Sequence, residues 1–146
     1  MKAVLFCGGK GRRMFPFSTY RPKCLLPIGN IPLLKHWLIA LQEMRIEETI
    51  LICDPVEARQ FRGLTEEFPF SRIVSAENRQ IWEALENICS EQPVLLANGD
   101  GFLSVLDLKR LLSSYEEKGN SILLNQIEDF RSTECICADV QDKVVS

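Results

Sequence analysis

Short apolar runs alternate with segments of helical periodicity along most of this chain, and this alternation constrains the fold more than any other feature. The apolar runs are rich in aliphatic residues and end at glycine or polar residues, which is typical of strands buried on both faces of a parallel sheet. We predict strands over 3–7, 49–53, 71–76, 94–97 and 121–126. The segments between them predict helices over 32–45, 55–67, 79–90 and 105–118.

A regular order of strand and helix indicates right-handed βαβ units and therefore an α/β fold. We expect a Rossmann-like three-layer sandwich with a mostly parallel sheet. Near the end of the chain the order changes, because short strand-like pieces at 135–140 and 143–145 flank a turn and suggest an incomplete carboxy-terminal β element. The 146 residues contain no repeat or linker, so we predict a single domain over 1–146.

The loop predicted after the first strand, over about 8–31, is unusually long for a connection inside a compact domain and is rich in glycine and proline. Loops of this kind usually carry function. Two common phosphate motifs do not fit it. The Gly9-Lys10 pair is followed by Gly11 instead of Ser or Thr, which excludes a P-loop, and Met14 stands where the dinucleotide fingerprint has its third glycine.

Positive charge is concentrated in this same part of the chain. Residues 1–30 hold six basic and no acidic residues, whereas the other 116 residues hold 11 basic and 20 acidic ones, which gives +6 against −9. A nucleic-acid-binding domain would carry basic residues over a whole face. The pattern therefore favours a small, concentrated anion and argues against nucleic acid as a partner.

Composition also bears on where the protein resides. No apolar run approaches the roughly 18 to 20 residues of a membrane-spanning helix, and no export signal is visible, so we expect a cytoplasmic protein without a membrane partner. The six cysteines lie mostly inside apolar runs, which indicates reduced, packed thiols. The single histidine, His36, lies in a predicted helix beside Trp37, where packing is favoured over catalysis.

The loop itself predicts a phosphate site. Glycine backbone adopts positive φ and lets N–H groups approach an anion closely, and nearby cations hold the oxygens of a triphosphate. The candidate nucleotide-binding residues are Gly8, Gly9, Gly11, Arg13 and Lys23.

Residues 8–32 follow the pattern Gly-Gly-x-Gly-x-Arg-Met-x-Pro-x-Ser-x-x-x-Pro-Lys-x-x-x-Pro-x-x-x-x-Pro. This segment closely resembles the signature of the sugar-1-phosphate nucleotidylyltransferases, the pyrophosphorylases that make nucleotide sugars. The shorter molybdopterin-type nucleotidyltransferases share the glycine-rich start but not the proline-rich run to the lysine. The nine matching positions are Gly8, Gly9, Gly11, Arg13, Pro16, Pro22, Lys23, Pro27 and Pro32.

The resemblance implies a reaction between a nucleoside triphosphate and a sugar 1-phosphate, with Mg²⁺ as cofactor and release of pyrophosphate. It implies catalytic roles for Arg13, Lys23 and Asp100. Asp100 follows Gly99 after the apolar run VLLAN and corresponds to the aspartate that binds the metal in the family. The competing interpretation of Asp100 is a turn residue in NGDG, a sequence that forms turns readily.

The sequence departs from the family pattern in three places, and two of these, the altered stretch at 80–84 and the missing carboxy-terminal part, favour a second hypothesis. Residues 80–84 replace a stretch that is small-residue-rich in the family, with Trp82 at a position where the family is small, and Thr133-Glu134 stands in place of a Tyr-Gly step. The chain also ends at Ser146, before the part that supplies the sugar site in the family. We therefore expect no pyrophosphorylase turnover from the 146-residue chain by itself.

The alternative is a non-catalytic regulatory or assembly homologue, similar to the domains in the γ and ε subunits of translation initiation factor 2B. An uncovered sheet edge would also make a homo-oligomer plausible.

Overall fold

The computed structural model describes residues 1–9, 11–76, 79–89 and 93–119. By its internal contacts the chain divides into two compact units, Met1–Val105 and Leu106–Ser146. The predictions for a fifth strand at 121–126, for the hairpin at 135–145 and for Thr133-Glu134 lie outside the described residues, as does the side chain of Trp82.

The first unit is built on a sheet of four parallel strands, as the alternation predicts. The strands are β1 (Lys2–Phe6), β4 (Glu48–Cys53), β5 (Ser71–Ser75) and β6 (Val94–Asn98). They lie in the order β5-β4-β1-β6, so β1 and β4 are central. In this register Leu5 of β1 pairs with Leu51 of β4 on one side and Ala97 of β6 on the other.

The four α-helices of the described residues alternate with the strands and lie within three residues of their predicted bounds. They are α1 (Leu33–Glu43), α2 (Ala58–Glu67), α3 (Arg79–Cys89) and α4 (Val105–Lys118). In the second unit α4 ends as expected: Gly119, at φ +80°, donates its N–H to the Tyr115 carbonyl over 2.8 Å. None of the helices in the described part of the chain is long and apolar enough to cross a bilayer.

Apolar side chains cover both faces of the sheet. Because successive strand residues point to opposite faces, Val4 and Ile50 lie on one side, in a cluster with Leu85 and Ile88 of α3. On the other side Leu34 of α1 approaches Gly99, directly after β6, and is completely buried. Helices on both faces of a parallel sheet make the predicted Rossmann-like layers, and the α/β prediction is confirmed.

The long loop after β1 contains more structure than the sequence indicated. It forms three short 3₁₀ turns and a small antiparallel pair, β2 (Pro27–Ile28) with β3 (Ile31–Pro32). Gly29 and Asn30 join these two strands with φ of +59° and +64°, as a tight hairpin turn requires. The Leu33 amide then donates to the Leu26 carbonyl over 3.0 Å, which fixes the hairpin at the start of α1.

Glu48, the first residue of β4, connects three strands through charge. Its carboxylate accepts a hydrogen bond from Arg72 of β5 and lies 3.3 Å from the Lys2 Nζ of β1. The Arg72 guanidinium, with help from Lys2, holds the pKa of the Glu48 carboxyl below its usual value.

Replacing Glu48 by Gln removes this charge and keeps the side chain's shape. Because the side chain is partly exposed, we expect the Glu48→Gln variant to lose about 0.5 to 1 kcal/mol of unfolding free energy near neutral pH. The pKa is lower in the folded chain, so this stabilisation is present above the unfolded-state pKa and is lost as pH falls through the folded-state pKa.

Urea unfolding of the wild type and the variant, from about pH 7 down to about pH 3, measures the difference. The two stabilities should converge at acidic pH. Glu66→Gln, at an exposed position of α2, is the matched control and should change little. A gap between wild type and Glu48→Gln that persists at acidic pH would contradict the assignment.

Candidate functional site

The order of the strands locates the candidate site. From β1 the chain moves outward to β4 and β5, and then returns to the other side of β1 to form β6. This reversal makes a topological switch point between β1 and β6, and in open α/β sheets ligands bind beyond the carboxyl ends of the strands at such a point. The glycine-rich loop leaves β1 here, and the segment Asn98-Gly99-Asp100-Gly101 leaves β6 beside it.

Gly99 allows these two strand ends to approach each other closely. Its N–H donates to the Phe6 carbonyl over 2.8 Å. A Cβ on Gly99 would lie 2.9 Å from the Cys7 Sγ, closer than Cβ atoms pack, and a tight 3.2 Å from the Phe6 carbonyl oxygen. Only glycine fits where these two strand ends meet. The next residue, Asp100, therefore lies beside the loop that follows β1.

Asp100 and Lys23 form the central contact of the site. The Lys23 Nζ donates to the Asp100 Oδ2 over 2.8 Å, although the two residues are 77 positions apart in the chain. Their side chains are 40% and 38% exposed, so the pair faces solvent without being surrounded by it. An ammonium and a carboxylate are thus presented together at the carboxyl edge of the sheet.

The backbone around Lys23 is anchored by its neighbours. Pro22, Cys24 and Leu25 are buried. The Cys24 thiol donates to the carbonyl of Cys7 over 3.6 Å, which links this segment directly to the end of β1. The main chain of Lys23 is therefore held in place while its long side chain remains accessible.

Gly8, Gly9 and Gly11, which we call the glycine turn, supply main chain that is not covered by side chains of their own. Gly9 has φ +126° and Gly11 has φ +52°, conformations that favour glycine. At Gly8 and Gly9 a Cβ would meet nothing within 4 Å, so space stands free beside the main chain. Gly11 is different, because a Cβ there would lie 2.9 Å from the Cβ of Ser18.

Ser18 closes this turn. Its hydroxyl donates to the Gly11 carbonyl over 2.8 Å, and the Met14 amide donates to the same carbonyl over 2.8 Å. Gly11 also lies next to Lys23, whose Cβ is 3.8 Å from the position that a Gly11 Cβ would take. Arg13, between Gly11 and Met14, has an exposed side chain.

The structure thus brings together some of the predicted residues. Lys23 and Asp100 are in direct contact, and Gly11 lies beside Lys23. Gly8, Gly9 and Arg13 belong to the same loop and are exposed. The roles assigned to these residues by sequence stay predictions.

Trp37 of α1 is a site residue that the sequence did not reveal. Its indole N–H donates to the Gly101 carbonyl over 2.7 Å, so a buried side chain of the helix holds the residue directly after Asp100. A buried indole N–H needs an acceptor, and that need was the available signal. Periodicity identified only the core face of α1.

His36, the residue before Trp37 in α1, makes two further contacts near the site. Its Nε2 lies 3.0 Å from the Ile28 carbonyl oxygen in the small hairpin, and its ring packs edge-on against Phe102 with centroids 5.9 Å apart. The histidine is half-buried and connects the hairpin to the segment after Asp100.

The cysteines near the site are suited to packing. Cys7, Cys24 and Cys53 are free and buried. A hydrogen bond with Cys24, together with burial, raises the pKa of the Cys7 thiol well above its usual value, and burial raises the pKa of Cys53 to about 11. A thiol is nucleophilic as the thiolate, so these two groups are poor nucleophiles at neutral pH.

The donor atoms at the site suit Mg²⁺ when phosphate is also present. Among the residues that the structure describes, no three His, Cys, Asp or Glu side chains cluster as a metal site. Asp100 offers one carboxylate. Mg²⁺ is commonly held by one or two carboxylates together with phosphate oxygens and water, so Asp100 fits as the protein's share of such a site.

The chain is similar in sequence and fold to known proteins. Residues 3–141 match the profile of the family described as the MobA-like NTP transferase domain. The chain is 28% identical over 153 residues to the D-glycero-alpha-D-manno-heptose 1-phosphate guanylyltransferase of Campylobacter jejuni, covering 100% of this chain and 67% of that protein. It is 29% identical over 159 residues to the mannose-1-phosphate guanylyltransferase of Mycobacterium tuberculosis, covering 99% of this chain and 42% of that protein.

A solved structure shares the fold. The inositol-1-phosphate CTP transferase from T. maritima superposes with a TM-score of 0.62 at 18% identity, over 74% of this chain and 46% of that one. The chain therefore spans about two thirds of one curated relative and less than half of the other relative and of the solved structure. Together the matches confirm the resemblance inferred from the loop.

The alternative hypothesis also has a counterpart. The chain is 23% identical over 130 residues to the translation initiation factor eIF2B subunit epsilon of Schizosaccharomyces pombe. This alignment covers 81% of the chain and 19% of that protein, and the similarity is weaker than that to the two guanylyltransferases.

The close contact at Gly99 predicts that a single added methyl group lowers the stability of the fold strongly. We expect Gly99→Ala to lose about 1 to 3 kcal/mol of unfolding free energy, because the Cβ would collide with the Phe6 carbonyl oxygen and the Cys7 Sγ. Gly101→Ala is the matched control, since a Cβ there lies 3.5 Å from the Asn98 carbonyl oxygen, an ordinary contact. Equal stability of the two variants in chemical denaturation would contradict the close contact.

The Trp37 hydrogen bond makes a separate prediction. Trp37→Phe keeps an aromatic ring in the core but leaves the Gly101 carbonyl without its donor, at a cost of about 1 to 3 kcal/mol of unfolding free energy. Hydrogen exchange should show faster exchange of the Gly99 and Gly101 amides in this variant than in the wild type, and little change in β5. Unchanged exchange at both amides would mean that Trp37 does not hold the segment.

Proposed function

This chain belongs to the family of MobA-like NTP transferase domains, and on that premise we propose that its Lys23–Asp100 site binds a nucleoside triphosphate with Mg²⁺. The proposed reaction transfers the nucleotidyl group to a sugar 1-phosphate and releases pyrophosphate. The observation that carries the proposal is the 2.8 Å contact between the Lys23 ammonium and the Asp100 carboxylate, beside open glycine backbone at the switch point of the sheet.

The chemistry requires positioning and charge. An oxygen of the sugar phosphate attacks the α-phosphorus in line, a new P–O bond forms, and the bond to the bridging oxygen of the β-phosphate breaks, so the electron pair leaves with pyrophosphate. Negative charge builds on the phosphate oxygens during this exchange. Lys23 and Arg13 supply cations to neutralise it, and the glycine turn supplies N–H donors.

Two glycines support the phosphate assignment in particular. The space beside Gly8 and Gly9 is what a phosphate group needs in order to approach main-chain N–H groups. In this proposal the triphosphate lies against that backbone, with Lys23 at the reacting phosphates.

Asp100 is the proposed metal ligand of this chain. A bound Mg²⁺ would supply charge neutralisation at the phosphates and orient them. Asp100 is half-exposed and follows directly after β6, where a carboxylate can reach phosphate oxygens held by the loop of β1.

The proposed acceptor is a sugar 1-phosphate, because both curated relatives described above are named as guanylyltransferases of such compounds. The same names make GTP the first nucleotide to test. A second candidate function, a regulatory or assembly module, is favoured by the similarity to the eIF2B epsilon subunit. That module needs the fold but no bound triphosphate, so nucleotide binding separates the two functions.

Thermal unfolding with each of the four common nucleoside triphosphates, in the presence of Mg²⁺, tests the proposal. A ligand at 100 times its Kd stabilises the folded chain by about 2.7 kcal/mol. We expect at least one triphosphate to raise the Tm. An unchanged Tm across all four would refute triphosphate binding and favour the assembly module.

The loop cations make a sharper prediction. Arg13→Ala and Lys23→Ala should each weaken triphosphate binding at least tenfold, about 1.4 kcal/mol or more, because each removes a charge from the phosphates. Arg21→Ala is the matched control, an exposed cation of the same loop outside the assigned site, and should bind within about twofold of wild type. Equal affinities of wild type, Arg13→Ala and Lys23→Ala in calorimetry would remove the assignment of both cations.

A further inference from the structure

Lys23 and Asp100 have separate roles in the proposed function, one at phosphate and one at metal, yet here they bind each other. We propose that this ion pair is the resting state of the site: Lys23 holds the cation position at Asp100 until a triphosphate draws its ammonium away. Metal binding is then coupled to nucleotide binding through a single side chain. This inference rests on the proposed function and describes how that site is controlled.

The contact explains why the two cations compete. The ammonium lies 2.8 Å from the Asp100 Oδ2, the distance of a charge-assisted hydrogen bond. A divalent ion on the same carboxylate would stand within a few ångströms of a positive charge, and like charges at that separation repel. In the absence of a triphosphate, Asp100 is therefore a weak metal ligand.

Because the ion pair is partly exposed, Lys23 and Asp100 can exchange each other for other partners. With side chains 40% and 38% exposed, both groups retain contact with water, and exposed ion pairs of this kind are weakly held. A triphosphate carries several negative charges and competes effectively for the ammonium. Once the ammonium moves, Asp100 is free to accept a cation.

The surroundings of Lys23 confine this movement to its side chain. Pro22, Cys24 and Leu25 are buried, and the Cys24 thiol donates a hydrogen bond to the Cys7 carbonyl. These contacts hold the main chain around Lys23 in place. The lysine ammonium sits on a flexible four-carbon stem. In this inference, rotation of that stem passes the ammonium from the carboxylate to a bound phosphate.

Such coupling is reciprocal. If triphosphate strengthens metal binding by some factor, the metal strengthens triphosphate binding by the same factor. The site then favours the complex of triphosphate and metal over either component alone. A free divalent ion is held back without any moving lid.

Binding of Mn²⁺, a spectroscopic substitute for Mg²⁺, tests this inference without nucleotide and without turnover. Free Mn²⁺ is followed by electron paramagnetic resonance while the full 146-residue chain is titrated. We expect Lys23→Met to bind Mn²⁺ at least about fivefold more tightly than wild type, because the competing charge is gone. Lys23→Gln should show the same gain, and it provides a second, polar variant should methionine disturb folding.

Two further variants identify the cause. The double variant Lys23→Met with Asp100→Asn should lose the gain, because the carboxylate is the ligand. Arg21→Met removes a charge two positions away and should bind Mn²⁺ as wild type does. The inference is overturned if both Lys23 variants bind Mn²⁺ as weakly as wild type, or if Arg21→Met gains as much as Lys23→Met.

The outcome is separable from that of the proposed function. Stabilisation by a triphosphate without any gain of Mn²⁺ binding in the Lys23 variants would overturn the resting ion pair and leave nucleotide binding standing. A gain of Mn²⁺ binding without stabilisation by any triphosphate would support the competition at Asp100 and refute the nucleotide assignment.

Discussion

The site depends on the close contact between the ends of two neighbouring parallel strands, β1 and β6, at Gly99. The Gly99 amide donates to the Phe6 carbonyl, and no side chain separates the two backbones. Since β6 is the strand to which the chain returns after building outward from β1, this contact brings a late segment beside an early one. The Lys23–Asp100 pair exists because of it. A wider separation of the strands would leave a cationic loop without its carboxylate.

Two supports keep this arrangement in place. On the side of the sheet, the Cys24 thiol donates a hydrogen bond to the Cys7 carbonyl and so fixes the segment around Lys23. The Trp37 indole of α1 donates a hydrogen bond to the carbonyl of Gly101, the residue after Asp100. From within the loop, the hydroxyl of Ser18 and the amide of Met14 both bond the Gly11 carbonyl. The side chains of Lys23 and Asp100 are accessible while the backbone that carries them is anchored. This anchoring preorganises the backbone of the site, so that only side chains need to reorder when a ligand binds.

Most of the fold could be predicted from the sequence, because buried strands and amphipathic helices are local patterns. The strand predicted at 94–97 is Val94–Asn98 in the structure, and the helix predicted at 32–45 is Leu33–Glu43. The start of α2 was placed three residues too early, because the Asp54 carboxylate accepts the Val56 amide in a turn before the helix. The hairpin of Pro27–Ile28 and Ile31–Pro32 was missed because proline argues against strands. The family resemblance pointed to Lys23 and Asp100, but their contact and the Trp37 hydrogen bond join distant segments and have no local signature.

The separation of 77 positions between Lys23 and Asp100 also has a consequence for how the chain folds during synthesis. During synthesis the cationic loop emerges first and remains without its carboxylate until the returning strand has docked beside β1. Assembly of the site is thus a late, non-local event, and such contacts form slowly because a long segment must first close. Formation of the Lys23–Asp100 pair therefore requires β6 to have docked beside β1, and folding of β1 and its loop alone does not create the site.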